Sequence, residues 1–257
     1  MHDTAHDIGR RFFETYCAIG PVAILEIGAL DINGTLRDGA PAGSAYTGVD
    51  LSPGPCVDIV LQDPSSLPFE EECFDAVVAS SCFEHDSMFW ATFIEMVRVA
   101  KTGGYIYINA PSNGSYHSYP ADNWRFYPDA SLALAAWARH QRREIELIES
   151  FIAKRRTDQW NDCVMVFRKG LRGDAIRRRI VDALPGACNI RRSAAGDVEN
   201  LMVPSEDMLL LDKARARLAA SEREVARLTA ELRALRAGSG SHGGEASSDV
   251  RWIGFDC

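Results

Sequence analysis

No two cysteines stand at C-x-x-C spacing in this chain of 257 residues, although it has seven of them. They are scattered at 17, 56, 73, 82, 163, 188 and 257, and their number is odd. That argues against a disulfide framework or a cysteine-based zinc site, and for free thiols in a reducing compartment. No apolar run reaches the roughly eighteen residues of a membrane span, and the N-terminal stretch Met1-His-Asp-Thr-Ala-His-Asp7 is polar. Neither a span nor a signal peptide is expected, and the expected location is cytoplasmic. Positive charge is in deficit, with 28 Lys and Arg against 36 Asp and Glu, which argues against a general nucleic-acid binder. The phosphate-binding signatures G-x-G-x-x-G and G-x-x-x-x-G-K-[ST] are both missing. Metal ligands at recognisable spacing are absent too, so no metal is expected.

What is present is a hydrophobic fraction of 46%, enough for one α/β domain with a full core. The chain is organised around Val22-Ala-Ile-Leu-Glu-Ile-Gly-Ala-Leu-Asp-Ile-Asn-Gly34. Val22 to Ile27 reads as a buried parallel strand running straight into Gly28, which can turn the backbone where other residues cannot. A second strand, Ala45 to Val49, ends in Asp50, whose carboxylate is placed to accept from two ribose hydroxyls. A glycine turn followed by an acid at this interval implies a nucleoside-containing cofactor. Glu26, just before the turn, would repel a pyrophosphate and suits a cofactor with a cationic end. S-adenosylmethionine carries an ammonium and a sulfonium there.

Glu26-Ile-Gly28, Val49-Asp50, Leu67-Pro-Phe through Phe74-Asp75-Ala-Val-Val and Arg98-Val-Ala-Lys-Thr-Gly-Gly104 resemble motifs of the class I S-adenosylmethionine-dependent methyltransferases (type 11-like). The resemblance covers roughly residues 20–170. It implies an α/β fold, a Rossmann-like seven-stranded sheet whose seventh strand runs antiparallel. It also implies a cofactor site at Glu26, Gly28, Ala29, Asp31, Asn33, Asp50, Leu51, Asp63 and Ser80. Leu30 and Ile32 stand where the family's loop has further glycines. The Asp31-Ile-Asn-Gly34 variant and the His117…Tyr119-Pro…Trp124-Arg-Phe126 segment resemble a subset found in cell-surface glycan gene clusters. Polysaccharide biosynthesis is the expectation that follows.

Along the chain, residues 4–18 read as a helix, with Ile8, Phe12 and Tyr16 recurring every four residues, expected to pack across the cofactor mouth. A third strand, Ile59 to Gln62, ends at Asp63, which either accepts from an adenine amino group or simply turns the chain before Pro64. After a fourth strand, Phe74 to Ala79, come Glu84 and His85, which topology puts near a reaction centre. A helix over 87–101 and a fifth strand, Tyr105 to Ala110, lead into a long polar and aromatic loop, Pro111 to Pro128. Loops this long in α/β domains usually carry function. A further helix is expected at 128–141, with strands at 145–152 and 162–168.

Methyl transfer to a hydroxyl needs a base, and His117 and His85 are the candidates; each could instead only order its loop. Tyr116, Tyr119, Trp124 and Phe126 could stack on a sugar or aromatic ring, and Arg125 could hold a phosphate or carboxylate. Trp124 and Phe126 could equally pack the loop to the core.

The expected divisions are a methyltransferase domain at 1–170, a basic extension at 171–205, a coiled-coil helix at 206–237 and a flexible tail at 238–257. The extension carries Arg172, Arg177, Arg178, Arg179, Arg191 and Arg192, read as a solvated face or as a phosphate contact. In the helix, Leu211, Leu218, Val225 and Leu232 repeat every seven residues, as do Ala214, Ser221, Leu228 and Leu235. A parallel homodimer through 208–237 is expected, or docking on a partner helix. The functional expectation is O-methylation of a saccharide or sugar-linked acceptor. The alternatives are a small aromatic or quinone-like acceptor, or a non-catalytic cofactor-binding assembly module.

Overall fold

The structure, a computed structural model, describes residues 2–170 and 176–239. Arg172, and the tail beyond Ser239, lie outside the described residues. Two compact units result, Met1–Val203 and Pro204–Cys257.

The first unit runs α1 (Asp3–Tyr16), β1 (Ala23–Ile27), β2 (Ala45–Asp50), β3 (Ile59–Val60), β4 (Phe74–Ser80), α2 (Phe89–Val99), β5 (Ala100–Pro111), α3 (Ala130–His140), β6 (Ile145–Ile152), β7 (Asp162–Lys169) and β8 (Cys188–Arg191). Short 3-10 turns occupy Leu36–Gly39 and Ile180–Ala183. The strands form one sheet in the order β3-β2-β1-β4-β5-β7-β6-β8. β1 pairs parallel with β2 and β4, and β5 continues parallel to β4. β7 runs antiparallel to both β5 and β6, as the expected architecture requires.

An eighth strand extends the expected seven. β8 pairs antiparallel with β6, so the basic stretch is not separate from the sheet. Three of its arginines hold this part in place. Arg179 donates to the carbonyls of Ile148, Ile176 and Arg192, Arg191 pairs with Asp129, and Arg192 pairs with Asp182 and Glu199. They are therefore committed within the fold rather than free to take a phosphate.

Successive strand residues point to opposite faces, which divides the core in two. Leu25 and Ile27 face the layer that holds Phe93, Met96 and Val97 of α2 and Leu134 and Ala135 of α3. Ile24 faces the other layer, with Ile8, Phe12 and Phe13 of α1. Each of these large side chains contributes roughly 1.5–3 kcal/mol on burial. α1 lies on this sheet face instead of across the cofactor mouth. The connection from β1 to β2 holds only a 3-10 turn, which leaves apolar sheet for α1 to cover. A Cβ added at Gly9 would stand 2.1 Å from Leu36 Cδ2, so helix and turn are in direct contact.

Two further boundaries differ from expectation. β3 is only two residues long, because the chain turns at Asp63. α2 stops at Val99, and Gly103 and Gly104 lie inside β5, where the pairing with β4 shifts register. A Cβ at Gly104 would lie 2.8 Å from the Asp75 carbonyl, so only glycine fits this irregularity.

The second unit is a helix, α4 (Glu206–Ser239). Ser205 caps it, its hydroxyl accepting from Met208 N at 3.2 Å. Leu211, Leu218, Val225, Leu228, Leu232 and Leu235 are all exposed. No helix among the described residues is long and apolar enough to cross a membrane. Among the described residues Cys17, Cys56, Cys73, Cys82 and Cys163 are free thiols, and Cys257 lies outside the described residues.

Candidate functional site

The strand order reverses between β1 and β4, and a crevice opens beyond the carboxyl ends of strands at such a switch. A cavity of about 390 Å³ fills it, within the size range of small-molecule sites.

Its floor is the turn after β1. Gly28 sits at φ +75°, and its N–H donates to the Val49 carbonyl at 2.9 Å. A Cβ there would lie 2.8 Å from Cys82, so it is the chain after β4 that approaches so closely. Ala29, Leu30 and Ile32 line the cavity, the last two as apolar wall in place of glycines. Asp31 and Asn33, expected at the cofactor, are not among the lining residues. Asp31 instead closes its own loop: its Oδ1 accepts from Gly34 N at 2.7 Å. The donor lies three residues on because a short Asp side chain reaches that far in a turn.

Asp50 ends β2 on the cavity wall, beside Leu51. Its two carboxylate oxygens accept from Leu30 N at 3.3 Å and Ser52 N at 3.0 Å, which aligns the group and leaves acceptor capacity on each oxygen. Asp63 also lines the cavity, and it turns the chain as well. Its Oδ1 accepts from Ser65 N and Oγ at 2.8 and 2.7 Å, and these bonds hold its carboxyl below the usual range. The two readings of Asp63 are both compatible with its place.

Glu26 is buried at the cavity wall, where desolvation pushes its carboxyl up to about 7. Hydrogen bonds from the Tyr46 hydroxyl at 2.8 Å and from the Leu36 backbone oppose that shift. Ser80 Oγ, at the end of β4, is buried with no hydrogen-bond partner and lines the cavity. Ser81 follows at φ +51°, an uncommon conformation for a residue with a side chain, held by its N–H to the Asn109 carbonyl.

The loop after β5 is stitched to the loop after β4. The Glu84 carbonyl accepts from Asn123 N at 2.7 Å and Trp124 N at 3.1 Å. Asn123 Nδ2 reaches the His85 carbonyl, and Trp124 Nε1 the Asp86 carbonyl. This makes His85 part of the cavity wall, together with Tyr119. His85 Nδ1 meets the Ala121 carbonyl at 2.5 Å, and Nε2 stands 3.7 Å from Glu84 Oε1. Burial pushes the Glu84 carboxyl up to about 8 and the His85 imidazole down.

His117 stands behind His85 and does not itself line the cavity. The two rings meet edge to face at 4.9 Å, and Trp160 lies against His117 at 4.8 Å. Among the described residues, Glu84, His85 and His117 each bring a metal-competent atom within 4.8 Å of the others. Spacing along the chain did not suggest this, because two loops supply the donors.

Glu84, Tyr116, Trp124 and Arg125 were expected at the substrate, and none lines the cavity. Tyr116 is 78% exposed. Trp124 packs edge-on against Phe89 and Trp90 of α2. Arg125 grips Asp122 with both terminal nitrogens, at 2.5 and 2.8 Å, and lies over the Trp160 ring. Both side chains secure the loop, so neither is free for a ligand. Asp86 was not singled out, yet it lines the cavity and anchors the entry to α2, accepting from Met88 N at 2.8 Å and from the Thr92 hydroxyl. The Asp before an apolar helical run was its signal.

Residues 25–108 match the methyltransferase-domain family. Over that stretch the chain is similar to a methyltransferase domain, and its sheet has the class I methyltransferase fold. The match spans the strands that build the cavity floor, from β1 into β5. Among curated relatives of this chain is a protein of Mycobacterium ulcerans (strain Agy99), phthiotriol/phenolphthiotriol dimycocerosates methyltransferase 1. It is 37% identical over 122 residues, 41% of this chain and 40% of that protein. The corresponding enzyme of Mycobacterium tuberculosis (strain ATCC 25618 / H37Rv) is 33% identical over 139 residues, 47% of this chain and 46% of that one. The chain thus spans less than half the length of these relatives.

Two solved structures share the methyltransferase fold. One is 1,6-didemethyltoxoflavin-N1-methyltransferase of Burkholderia thailandensis with bound 1,6-didemethyltoxoflavin and S-adenosylhomocysteine. It has TM-score 0.52 and 17% identity, over 66% of this chain and 80% of that one. The other is the [4+2]-cyclase SpnF, with TM-score 0.50 and 15% identity, over 65% of this chain and 81% of that one. A cyclase on the same fold means that the fold alone does not decide the chemistry.

Proposed function

We propose that the chain is an S-adenosylmethionine-dependent methyltransferase that O-methylates a hydroxyl on a saccharide or sugar-linked acceptor. The observation that carries the cofactor assignment is the combination of Glu26, Gly28 and Asp50 around one cavity, which Ser80, its buried Oγ unpartnered, also lines. Asp50 would accept from the ribose hydroxyls, Leu51 and Asp63 would flank the adenine, and Glu26 would face the ammonium end. Bound there, S-adenosylmethionine supplies an electrophilic methyl group on a sulfonium, a good leaving group.

The protein's remaining tasks are alignment, exclusion of water and removal of the acceptor's proton. His85 is the imidazole in the cavity wall, so the acceptor hydroxyl is activated at the corner formed by His85, Glu84 and His117. Tyr119, from the stitched loop, would cover the acceptor from outside.

A more apolar acceptor is the second reading. The mycobacterial relatives are named for phthiotriol dimycocerosates, and an apolar groove between α2 and α3 is lined by Phe89, Trp90, Leu134 and Trp137. Incubation with methyl-labelled cofactor and separate pools of nucleotide-sugars, glycan extract and lipid extract tests both. Label in the sugar pools supports the first reading, and label only in lipid replaces it with the second. S-adenosylhomocysteine binding without label in any pool favours a non-catalytic assembly module.

We also propose that α4 forms a parallel homodimer. With Leu211 at a, Arg217 and Glu231 fall at g while Glu222 and Arg236 fall at e, giving attractive pairs between helices. The exposure of the whole leucine seam supports this. Arg227 already pairs with Glu224 and Glu231 within the helix, so the Glu231 contribution is shared.

A further inference from the structure

Glu84 and His85 follow β4, whereas His117 follows β5, and nothing in their spacing groups them. The fold nevertheless gathers one carboxylate oxygen and two imidazole nitrogens within 4.8 Å of one another. Two donors each about 2.1 Å from one ion stand about 3.4 Å apart in tetrahedral geometry. Glu84 Oε1 and His85 Nε2, at 3.7 Å, are close to that spacing. His117 completes the set, its donor atom lying within 4.8 Å of the other two.

Three further features point to a ligand at this corner. Glu84 is 1% exposed, and its Oε2 is buried without a hydrogen-bond partner. A buried carboxylate oxygen left bare is costly unless something meets it. The Ala121 carbonyl lies 2.5 Å from His85 Nδ1, which places the proton there and leaves the lone pair on Nε2, towards Glu84. Metal-bound histidines are commonly oriented by such a backbone carbonyl. Asp122 accepts the His117 backbone N–H at 2.8 Å and stands 3.6 Å from its Nδ1, a carboxylate placed behind the second imidazole.

We propose that Glu84, His85 and His117 bind one divalent transition-metal ion at the edge of the cavity. Two imidazoles and one carboxylate suit zinc, iron(II), manganese or cobalt, and do not suit magnesium or calcium, which prefer oxygen donors. Three protein ligands leave at least one coordination position open. His85 is shared between the cluster and the cavity wall, so an acceptor hydroxyl can take that position. An oxygen held there loses its proton to solvent more readily, because the cation stabilises the alkoxide. This deepens the methyltransferase reading and rests on it: the metal, rather than a free imidazole, would activate the acceptor oxygen.

The test is titration of the full chain, stripped with chelator, with Co²⁺, followed by its visible absorption. S-adenosylhomocysteine binding is measured calorimetrically on the same samples. One site per chain is expected, with d–d bands of imidazole and carboxylate ligation. Glu84→Gln and His117→Ala should each weaken Co²⁺ binding on the order of a hundredfold, and Asp122→Asn about tenfold. His117→Ala alters a half-exposed ring, so it stays informative if the buried Glu84→Gln misfolds. Absence of a saturable band in a chain that still binds S-adenosylhomocysteine overturns the metal site and leaves the cofactor reading standing. A Co²⁺ site that survives both Glu84→Gln and His117→Ala overturns the assignment of these ligands. Co²⁺ binding without S-adenosylhomocysteine binding would keep the site and remove the methyltransferase reading beneath it.

Discussion

The rings of His85 and His117 meet edge to face at 4.9 Å, although one follows β4 and the other follows β5. What brings them together is main-chain hydrogen bonding, Asn123 N and Trp124 N to the Glu84 carbonyl, and not an interaction between the rings. Only His85 reaches the cavity. His85→Ala should therefore lower turnover about a hundredfold or more and leave S-adenosylhomocysteine affinity nearly unchanged. His117→Ala should cost less at saturating acceptor and metal. Single-turnover rates check the order, and a larger loss for His117→Ala would reverse the roles.

Asp50 should carry much of the cofactor's ribose recognition. Asp50→Ala removes two hydrogen bonds and should weaken S-adenosylhomocysteine by about 2–4 kcal/mol. Because Asp50 also holds Leu30 N and Ser52 N, thermal unfolding of the free variant must be compared with the parent. An affinity equal to the parent's would remove Asp50 from the site.

Glu26 makes cofactor binding and stability depend on pH in opposite senses. Burial raises its carboxyl from 4.5 to about 7 in the folded chain. The folded state therefore holds the proton more tightly than the unfolded state, and stability falls as pH rises from about 5 to about 7, then levels off. Relative to Glu26→Gln, the parent should lose melting temperature across that window. A cationic cofactor favours the ionised carboxylate, so S-adenosylhomocysteine affinity should rise over the same window in the parent and stay flat in Glu26→Gln. Calorimetry at several pH values measures both the affinity and the proton released.

Arg125 should prove structural. Arg125→Ala leaves the Asp122 carboxylate, nearly buried, without its bidentate partner and should cost about 2–3 kcal/mol of loop or global stability. Arg125→Lys should recover only part of this, since an ammonium cannot match two oxygens at once. Hydrogen exchange in residues 112–128 reads the loosening. An unchanged exchange pattern with a raised acceptor KM would return Arg125 to substrate binding.

Deleting residues 206–257 should give a folded monomer that still binds S-adenosylhomocysteine, whereas the full chain should be a dimer. Light scattering at tens of micromolar distinguishes them. A monomeric full-length chain would leave the exposed leucine seam to a partner helix.

The amino-acid sequence alone determined the frame of this protein. Val22 to Ile27 running into Gly28, and a strand ending in Asp50, are local patterns, and local patterns report strands, turns and their chemistry directly. The antiparallel β7 came with the family resemblance that those motifs carry. Tertiary structure decided what the distant parts do. Trp124 and Arg125 looked like ligand contacts because their side chains suit ligands, but Phe89, Trp90 and Asp122 claim them within the fold. Asp31 looked like a cofactor residue, but a short carboxylate in a tight loop satisfies its own backbone first. β8, Cys188-Asn-Ile-Arg191, alternates apolar and polar over only four residues, too short a signal by itself, and it pairs with the edge of β6. The gathering of Glu84, His85 and His117 depends on hydrogen bonds between two loops that are remote in the chain. Sequence spacing carries no trace of such a contact, since only the folded backbone brings those three side chains to one point.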